Sequence, residues 1–280
     1  MKKGVVSLLF CLLAGNIFGQ MIPPNYKDLK LFFRTQLMVV LDDNYPGYNT
    51  SIKKAMDYWS ITKYGVDYIT KSELPQHLVN PRESFLVIKD TTIVENTTSS
   101  TYVVLQLILG NRSKRVKTHA VMTTFPICYK GKEEMNYYRL PTFIQFIQSH
   151  LIFLEKYETI PPKEIFNYYN SRSYEIKSRE LWLIKEEVDP TVDELGEIKA
   201  MYPYDVVFVT QEQLQKAIEK QYLDIVYMHK VGLGANKKGD YVVKFIFTAD
   251  GELYYYDQYF VEPVKSPEGF SEKDIRRIDR

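Results

Sequence analysis

Cysteine is nearly absent from this chain. There are only two, Cys11 and Cys128, and Cys11 falls in the N-terminal apolar stretch described below. If that stretch is removed, Cys128 has no partner within the chain, so no intrachain disulfide can form. Stability must therefore come from a buried apolar core. The remaining chain of about 260 residues is long enough to build one or two such cores.

The sequence also lacks an excess of either charge and a membrane-spanning apolar run. Without Lys2 and Lys3, the chain carries 34 basic and 35 acidic residues. Because nucleic-acid binding requires a strong positive field, we predict no nucleic-acid partner. The longest later apolar stretch, Phe143–Leu154, is interrupted by polar side chains. It predicts a buried helix, so we expect no transmembrane span once the N-terminus is cleaved.

Catalytic and cofactor motifs are missing as well. The four histidines are dispersed without metal-binding spacing, and no GxSxG elbow occurs. The glycine-rich segment 232–239 lacks the Lys-Ser or Lys-Thr pair of a phosphate loop, and a strand pattern follows it. We therefore predict no cofactor and no metal. Cys128 is interpreted as an inert, half-buried thiol, although a Cys–His pair assembled by the fold stays open.

The first nineteen residues have the pattern of a secretory signal peptide. Lys2 and Lys3 form a basic start, and Val5–Leu13 is an apolar segment too short to cross a bilayer. Gly19 supplies a small residue before a cleavage point that would leave Gln20 as the N-terminus. We expect an exported protein that is periplasmic, retained in the cell envelope or secreted.

One local pattern occurs twice, 140 residues apart. Thr70 is followed three positions later by Glu73, and Thr210 is followed by Gln213; an apolar residue precedes each Thr. This pattern is typical of a capping box. The Thr hydroxyl accepts a backbone N–H of the new helix, and the Glu or Gln side chain bonds back to the Thr N–H. We infer a tandem duplication; convergence of two unrelated halves on one layout is the alternative.

Strand and helix patterns follow the same order in both halves. The predicted strands lie at 36–41, 66–69, 85–93, 102–109 and 117–125, and again at 180–185, 205–209, 224–230, 241–248 and 252–259. Helices between the first three strands of each half imply parallel pairing, and a terminal hairpin adds antiparallel strands. We predict an α/β protein of two tandem βαβα-plus-hairpin modules. Each is a mixed sheet with packed helices and its own interior.

The same patterns set the expected boundaries. Between the modules, two apolar helices are predicted, and the C-terminus looks polar and loosely held. The predicted segments are a signal peptide (1–19), an N-terminal arm (20–34), module 1 (35–127), a helical connector (128–178), module 2 (179–262) and a polar tail (263–280).

Ligands of open α/β sheets bind beyond the carboxyl ends of the parallel strands. In each half an acidic pair follows the first strand, and a threonine ends the second. The candidate ligand-binding residues are therefore Asp42, Asp43, Thr70, Glu186, Glu187 and Thr210. Such groups could bind Ca²⁺ or Mg²⁺, or act as an acid and a base. We favour the simpler interpretation, in which the acids complement helix dipoles and the threonines are caps.

The functional expectation follows mainly from what is missing. We predict a non-catalytic exported protein that binds a macromolecule or ligand between its two modules. Its partner is an unknown protein or glycan, because some of the 23 tyrosines could stack on sugars or pack against a protein. The alternative is an exported hydrolase using strand-end carboxylates, with or without a metal. Such an enzyme would gather in one pocket at least two residues from the set Asp42, Asp43, His119, Cys128, Glu186 and Glu187.

Overall fold

A computed structural model describes residues 24–280 apart from residues 96, 97, 114, 116, 117 and 159. The predicted signal peptide (1–19) lies outside the described residues. The chain forms two five-stranded mixed sheets with packed helices. This confirms the predicted α/β fold class with two similar modules in sequence order.

Module 1 follows a short N-terminal helix and is built around a central parallel strand. Its elements are α1 (Tyr26–Phe32), β1 (Gln36–Leu41), α2 (Pro46–Ala55), β2 (Val66–Thr70), α3 (Leu74–His77), β3 (Glu83–Glu95), β4 (Thr98–Leu109) and β5 (Val121–Tyr129). Strand β1 pairs in parallel with β2 and β3, and β3, β4 and β5 continue as an antiparallel meander. The strand order is β2-β1-β3-β4-β5.

Module 2 repeats this topology after two connecting helices. The remaining elements are α4 (Leu140–Lys156), α5 (Pro162–Ser171), β6 (Glu180–Leu183), α6 (Leu195–Met201), β7 (Val206–Phe208), α7 (Gln211–Glu219), β8 (Ile225–Val231), β9 (Tyr241–Thr248), β10 (Leu253–Phe260) and α8 (Glu272–Ile278). Strand β6 pairs in parallel with β7 and β8, while β8, β9 and β10 are antiparallel. The order β7-β6-β8-β9-β10 matches module 1 strand for strand.

The strand registers identify equivalent positions in the two modules. Leu37 of β1 pairs with Val66 of β2, and Leu181 of β6 pairs with Val206 of β7. Counting along the chain from these pairs, the equivalent residues at the strand ends are Asp42 and Glu186, Asp43 and Glu187, Thr70 and Thr210, and Lys71 and Gln211.

The main core is shared, so the prediction of a separate interior for each module is wrong. The apolar helix α4 packs against both sheets, which also contact each other directly. Phe125 of β5 lies 4.7 Å from Phe143 of α4 and 5.2 Å from Phe245 of β9, measured between ring centroids. One continuous cluster of buried residues includes both sheets, and smaller clusters fill the outer faces. Helix α4 is apolar over most of its surface, which favours burial on several sides.

The two modules meet through non-equivalent faces. Leu37 belongs to the shared core, whereas its equivalent Leu181 belongs to the outer cluster of module 2. Right-handed crossovers place the two helices of each module on opposite sides of its sheet. Here Ile52 of α2 and Leu214 of α7 both face the shared core. The α2 side of module 1 therefore packs toward the α7 side of module 2.

The helix predicted to follow the Thr70 cap starts three residues later than expected. Strand β2 ends at Thr70, and α3 begins at Leu74. Proline is tolerated in the first turn of a helix but not in its interior, so Pro75 forces the later start. The Thr70 N–H still bonds to Glu73 Oε2, at 2.7 Å, but the Thr70 hydroxyl also donates to that carboxylate. Only half of the predicted capping box forms here.

The prediction of a loosely held tail is also wrong. Helix α8 lies against module 2 with Phe270, Ile275 and Ile278 fully buried. Asp274 forms an ion pair with Lys244 of β9 at 2.7 Å, and neither side chain is exposed by more than 1%. The apolar residues form one stripe along a short helix, and the many charges around them obscured that stripe in the sequence.

Candidate ligand-binding cleft

Each module has a crevice where ligands of α/β proteins ordinarily bind. In module 1 the chain leaves β1 for α2 on one face and leaves β2 for α3 on the other. In module 2 it leaves β6 and β7 in the same way for α6 and α7. A sheet with this topology opens a crevice between the carboxyl ends of those two strands.

In module 1 an ion pair bridges this crevice. Lys71 Nζ donates to Asp42 Oδ2 at 2.7 Å, and Asp42 is almost fully buried. Burial alone would raise the pKa of Asp42, but the hydrogen bonds from Lys71 and from the Asn44 backbone hold it below its ordinary value. The adjoining cavity measures about 420 Å³ and also includes Lys89 and Lys130.

In module 2 the equivalent crevice is open. Gln211 occupies the place of Lys71 and carries no charge, so the corresponding ion pair cannot form. A cavity of about 760 Å³ lies here; we call it the seam cavity. The module 2 side is lined by residues 184–187, 208–212, 230 and 232–234. The other wall comes from the end of β5 and the segment before α4, namely Cys128, Tyr129, Lys132, Met135, Asn136, Tyr138 and Arg139.

A buried arginine joins the two walls of the seam cavity. The Arg139 side chain is only 2% exposed. Its Nη1 donates to Asn136 Oδ1 at 2.9 Å and to His229 Nδ1 at 3.0 Å, and its Nη2 donates to Glu187 Oε1 at 3.1 Å. Arg139 precedes α4, whereas His229 and Glu187 belong to module 2. The guanidinium therefore connects the connector segment to the second sheet.

The histidine beside this arginine is held neutral. Burial and the Arg139 charge lower the pKa of His229 well below its ordinary value. Because arginine can only donate, Nδ1 of His229 is the acceptor, which leaves the ring proton on Nε2. His229 is thus a fully buried, hydrogen-bonded residue, and it has no cationic role near neutral pH.

Three polar atoms of residues that line the seam cavity are buried without a hydrogen-bond partner among the described residues. They are Arg139 Nε, a donor, Glu187 Oε2, an acceptor, and Tyr138 Oη, which can do both. An unpartnered buried polar atom typically costs about 1–3 kcal/mol. Such atoms are rare in folded proteins, and next to a cavity they can be satisfied by a bound water or ligand.

The structure places four of the six sequence-predicted residues in the two cavities. Glu186, Glu187 and Thr210 line the seam cavity, and Asp42 lines the module 1 cavity. Asp43 and Thr70 are exposed and line neither. Because the modules pack through different faces, equivalent strand ends do not meet across the seam. Thr210 also forms the complete predicted capping box with Gln213.

Sequence reasoning missed Arg139, whose guanidinium joins the two walls of the cleft. The only available signal was a basic residue directly before the apolar helix that begins at Leu140. Cys128 does line the seam cavity, but it is 2% exposed and burial raises the pKa of its thiol. The neutral thiol is a poor nucleophile.

Three further findings concern possible metal binding, membrane crossing and similarity to known proteins. Among the described residues, His, Cys, Asp and Glu form no group of three or more that could hold a metal ion. In the same part of the chain, no helix has the length and apolarity needed to cross a bilayer. No protein-family model, curated protein or solved structure matches this chain.

Proposed function

We propose that this is an exported, non-catalytic binding protein whose ligand occupies the seam cavity. The observation that carries the proposal is the contrast between the two crevices. The module 1 crevice is bridged by Lys71 and Asp42. The module 2 crevice is open, is walled by both halves of the molecule and has Arg139 in its wall. Its volume lies within the range of about 300–1,000 Å³ typical of small-ligand sites.

Two features support binding over hydrolysis. Glu186, Glu187 and Cys128 share the seam cavity, as the hydrolase alternative required. However, one oxygen of Glu187 already accepts a hydrogen bond from Arg139, at 3.1 Å. The raised pKa of Cys128 removes the nearby nucleophile. The cavity thus offers recognition groups without an activated pair.

The location part of the proposal rests on the N-terminal sequence. A basic start and a short apolar segment precede Gly19. Expression of the full chain in a bacterial host, followed by fractionation and N-terminal sequencing, tests it. We expect mature protein outside the cytoplasm beginning at Gln20, and retention of a variant lacking residues 2–19. Full-length chain in the cytoplasm would contradict export.

Ligand binding can be tested with a matched pair of variants that the duplication provides. Phe208 lines the seam cavity, and Tyr68 is its equivalent on β2. Wild-type protein, Phe208→Ala and Tyr68→Ala are compared by saturation-transfer NMR. The probes are neutral sugars, amino acids, dicarboxylates and short peptides.

We expect at least one probe class to bind the wild type, Phe208→Ala to weaken that binding about tenfold and Tyr68→Ala to leave it unchanged. Equal effects of the two variants, or no binding by any class, would overturn the proposal.

A further inference from the structure

A second cavity continues the seam cavity along the module interface. It measures about 440 Å³ and lies between α2 and α7, with Ser51, Lys54 and Gln215 among its lining residues. Tyr138 and Gln211 line both cavities. The two spaces therefore meet at these side chains, and together we call them the seam groove. Its extent suits an elongated ligand better than a single small molecule.

The seam groove has almost balanced charge. Its ionisable residues comprise five cationic side chains, Lys54, Lys132, Arg139, Lys185 and Lys230, and six acidic ones, Asp57, Glu134, Glu186, Glu187, Glu212 and Glu219. A strongly anionic or cationic polymer would be attracted by a field of one sign. The balance in the groove instead favours a ligand without net charge.

The hydrogen-bonding groups of the groove are of mixed type. Among the described residues that line it, four carry a buried atom without a partner: Arg139 Nε is a donor, Glu187 Oε2 an acceptor, and Tyr137 Oη and Tyr138 Oη can do both. A hydroxyl group both donates and accepts, so a hydroxyl-rich ligand can match this mixture. The Glu187 side chain lines the groove and is 18% exposed.

Aromatic rings supply the apolar part of the lining. Tyr58, Tyr129, Tyr138 and Phe208 are half-buried, and each lines one or both cavities. Such rings pack well against flat apolar surfaces, including the C–H faces of sugar rings. Planar polar side chains next to half-buried aromatic rings form a surface suited to a carbohydrate.

An extended peptide fits the groove less well. Strand-like peptide binding uses a row of unpaired backbone groups at a sheet edge. The edge strand at the groove, β7, is only three residues long. In the neighbouring loop, the backbone N–H groups of Gly234 and Asn236 already donate to Glu268.

From these observations we infer that the seam groove binds a neutral oligosaccharide, with several sugar units spanning both cavities. This inference rests on the proposed binding function and specifies its ligand class. Gln211 lies where the cavities meet, and its amide can contact a sugar unit at that point. It is half-buried at the first position of α7, so its truncation should leave the fold intact.

The test measures binding of linear neutral hexasaccharides of glucose, xylose and N-acetylglucosamine, and of the matching disaccharides, by isothermal titration calorimetry. Uncharged hexapeptides and an acidic hexasaccharide are tested in parallel. We compare wild type, Gln211→Ala and Gln76→Ala, an exposed position on α3 outside the groove. Circular dichroism verifies that each variant is folded.

We expect one neutral hexasaccharide to bind about tenfold more tightly than its disaccharide, because only the longer chain reaches both cavities. Gln211→Ala should weaken that binding about fivefold, which corresponds to the loss of one ordinary hydrogen bond. Gln76→Ala should have no effect.

Binding of peptides or the acidic sugar alone would overturn the oligosaccharide assignment but keep the binding function. Hexasaccharide binding unaffected by Gln211→Ala would also overturn the assignment to this groove. If neither this panel nor the broader probe set binds at about 1 mM, both proposals fail.

Discussion

Individual buried charges hold distant parts of this chain together. Lys244 of β9 and Asp274 of α8 have almost no exposure, and their ion pair is completed by hydrogen bonds from Tyr255 to Asp274 and from Lys244 to the Gly269 carbonyl. Removing one partner of such a pair leaves an uncompensated charge in the interior. These residues therefore fix the C-terminal segment.

Replacing Lys244 by Met should lower the free energy of unfolding by about 3–5 kcal/mol, because Asp274 is left buried without its counter-ion. Urea denaturation monitored by circular dichroism measures the change. The matched control is Arg276→Met on the same helix. Arg276 pairs with Glu272 while both remain mostly exposed, so we expect a loss below about 1 kcal/mol. Comparable losses of unfolding free energy for the two variants would contradict the view that the buried Lys244–Asp274 pair stabilises the fold more than the exposed pair does.

His150 makes stability depend on pH. It is fully buried in α4, with Nδ1 2.9 Å from Tyr169 Oη, and burial lowers its pKa from 6.5 to about 4. The folded state therefore favours neutral histidine, while the unfolded chain takes up a proton below pH 6.5. The resulting stabilisation is fully present above pH 6.5 and is lost as pH falls from 6.5 through 4.

Between pH 6.5 and 4, the wild type should lose up to about 3 kcal/mol through this residue, since each pKa unit corresponds to about 1.4 kcal/mol. His150→Gln removes this contribution. Urea unfolding of both proteins at several pH values provides the test. The stability difference between wild type and variant should shrink as pH falls. A difference that stays constant with pH would show that His150 does not titrate as described.

At the scale of elements, the two equivalent strand-to-helix junctions differ. At Thr210 both hydrogen bonds of the capping box are present: Thr210 N to Gln213 Oε1 at 2.8 Å and Gln213 N to Thr210 Oγ1 at 3.3 Å. At Thr70 the hydroxyl bonds to Glu73 instead, because Pro75 delays the helix. The same local sequence pattern thus gives a nine-residue helix in module 2 and a four-residue helix in module 1.

Thr210→Ala should destabilise the protein by about 1 kcal/mol, because it removes the cap of α7. Thr70→Ala should cost less than about 0.5 kcal/mol, since Thr70 is exposed and caps no backbone N–H of α3. Chemical denaturation of both variants measures the difference. Equal losses would mean that the two junctions still function alike.

At the scale of the whole molecule, the shared core should make the two modules unfold as one unit. Phe146 of α4 contacts Phe247 of module 2 at 5.3 Å and Phe125 of module 1 at 5.7 Å, between ring centroids. Tyr102 of β4 also donates to the Tyr241 carbonyl of β9 at 2.6 Å. Neither module can keep this buried surface covered if the other opens.

The two tryptophans allow this cooperativity to be measured, because Trp59 lies in module 1 and Trp182 in module 2. The variants Trp182→Phe and Trp59→Phe each leave one reporter. We expect the two fluorescence midpoints in urea to coincide. Leu105→Ala truncates a side chain in the shared core and should cost about 2–5 kcal/mol of stability. Added to each single-tryptophan variant, it should lower the two urea midpoints equally. A shift seen only by Trp59 would show independent modules.

The parts of the fold that depend on local sequence patterns were predictable, and the parts that depend on distant contacts were not. The repeated strand and helix patterns determined element order, and element order with right-handed crossovers determined sheet topology. The short α3 could have been predicted from Pro75, because a proline cannot lie inside a helix. The docking of α8 was less accessible, since Asp274 reads as a surface charge until Lys244 is placed beside it.

The candidate site was predictable only in part. The rule of carboxyl strand ends located Glu186, Glu187 and Thr210, because it depends on topology alone. It could not show which of the two crevices stays open, since that depends on Lys71 reaching Asp42 in one module and an uncharged Gln211 in the other. Arg139 was not predicted, because its partners His229 and Glu187 lie far away in the sequence.

By itself the sequence determined the repeated α/β layout, because hydrophobic periodicity and turn residues act over a few neighbouring positions. Only the tertiary structure decided that module 1 meets module 2 through non-equivalent faces, that one core serves both and that the open cleft forms beside Arg139. Those outcomes depend on contacts between residues far apart in the chain, which no local pattern encodes.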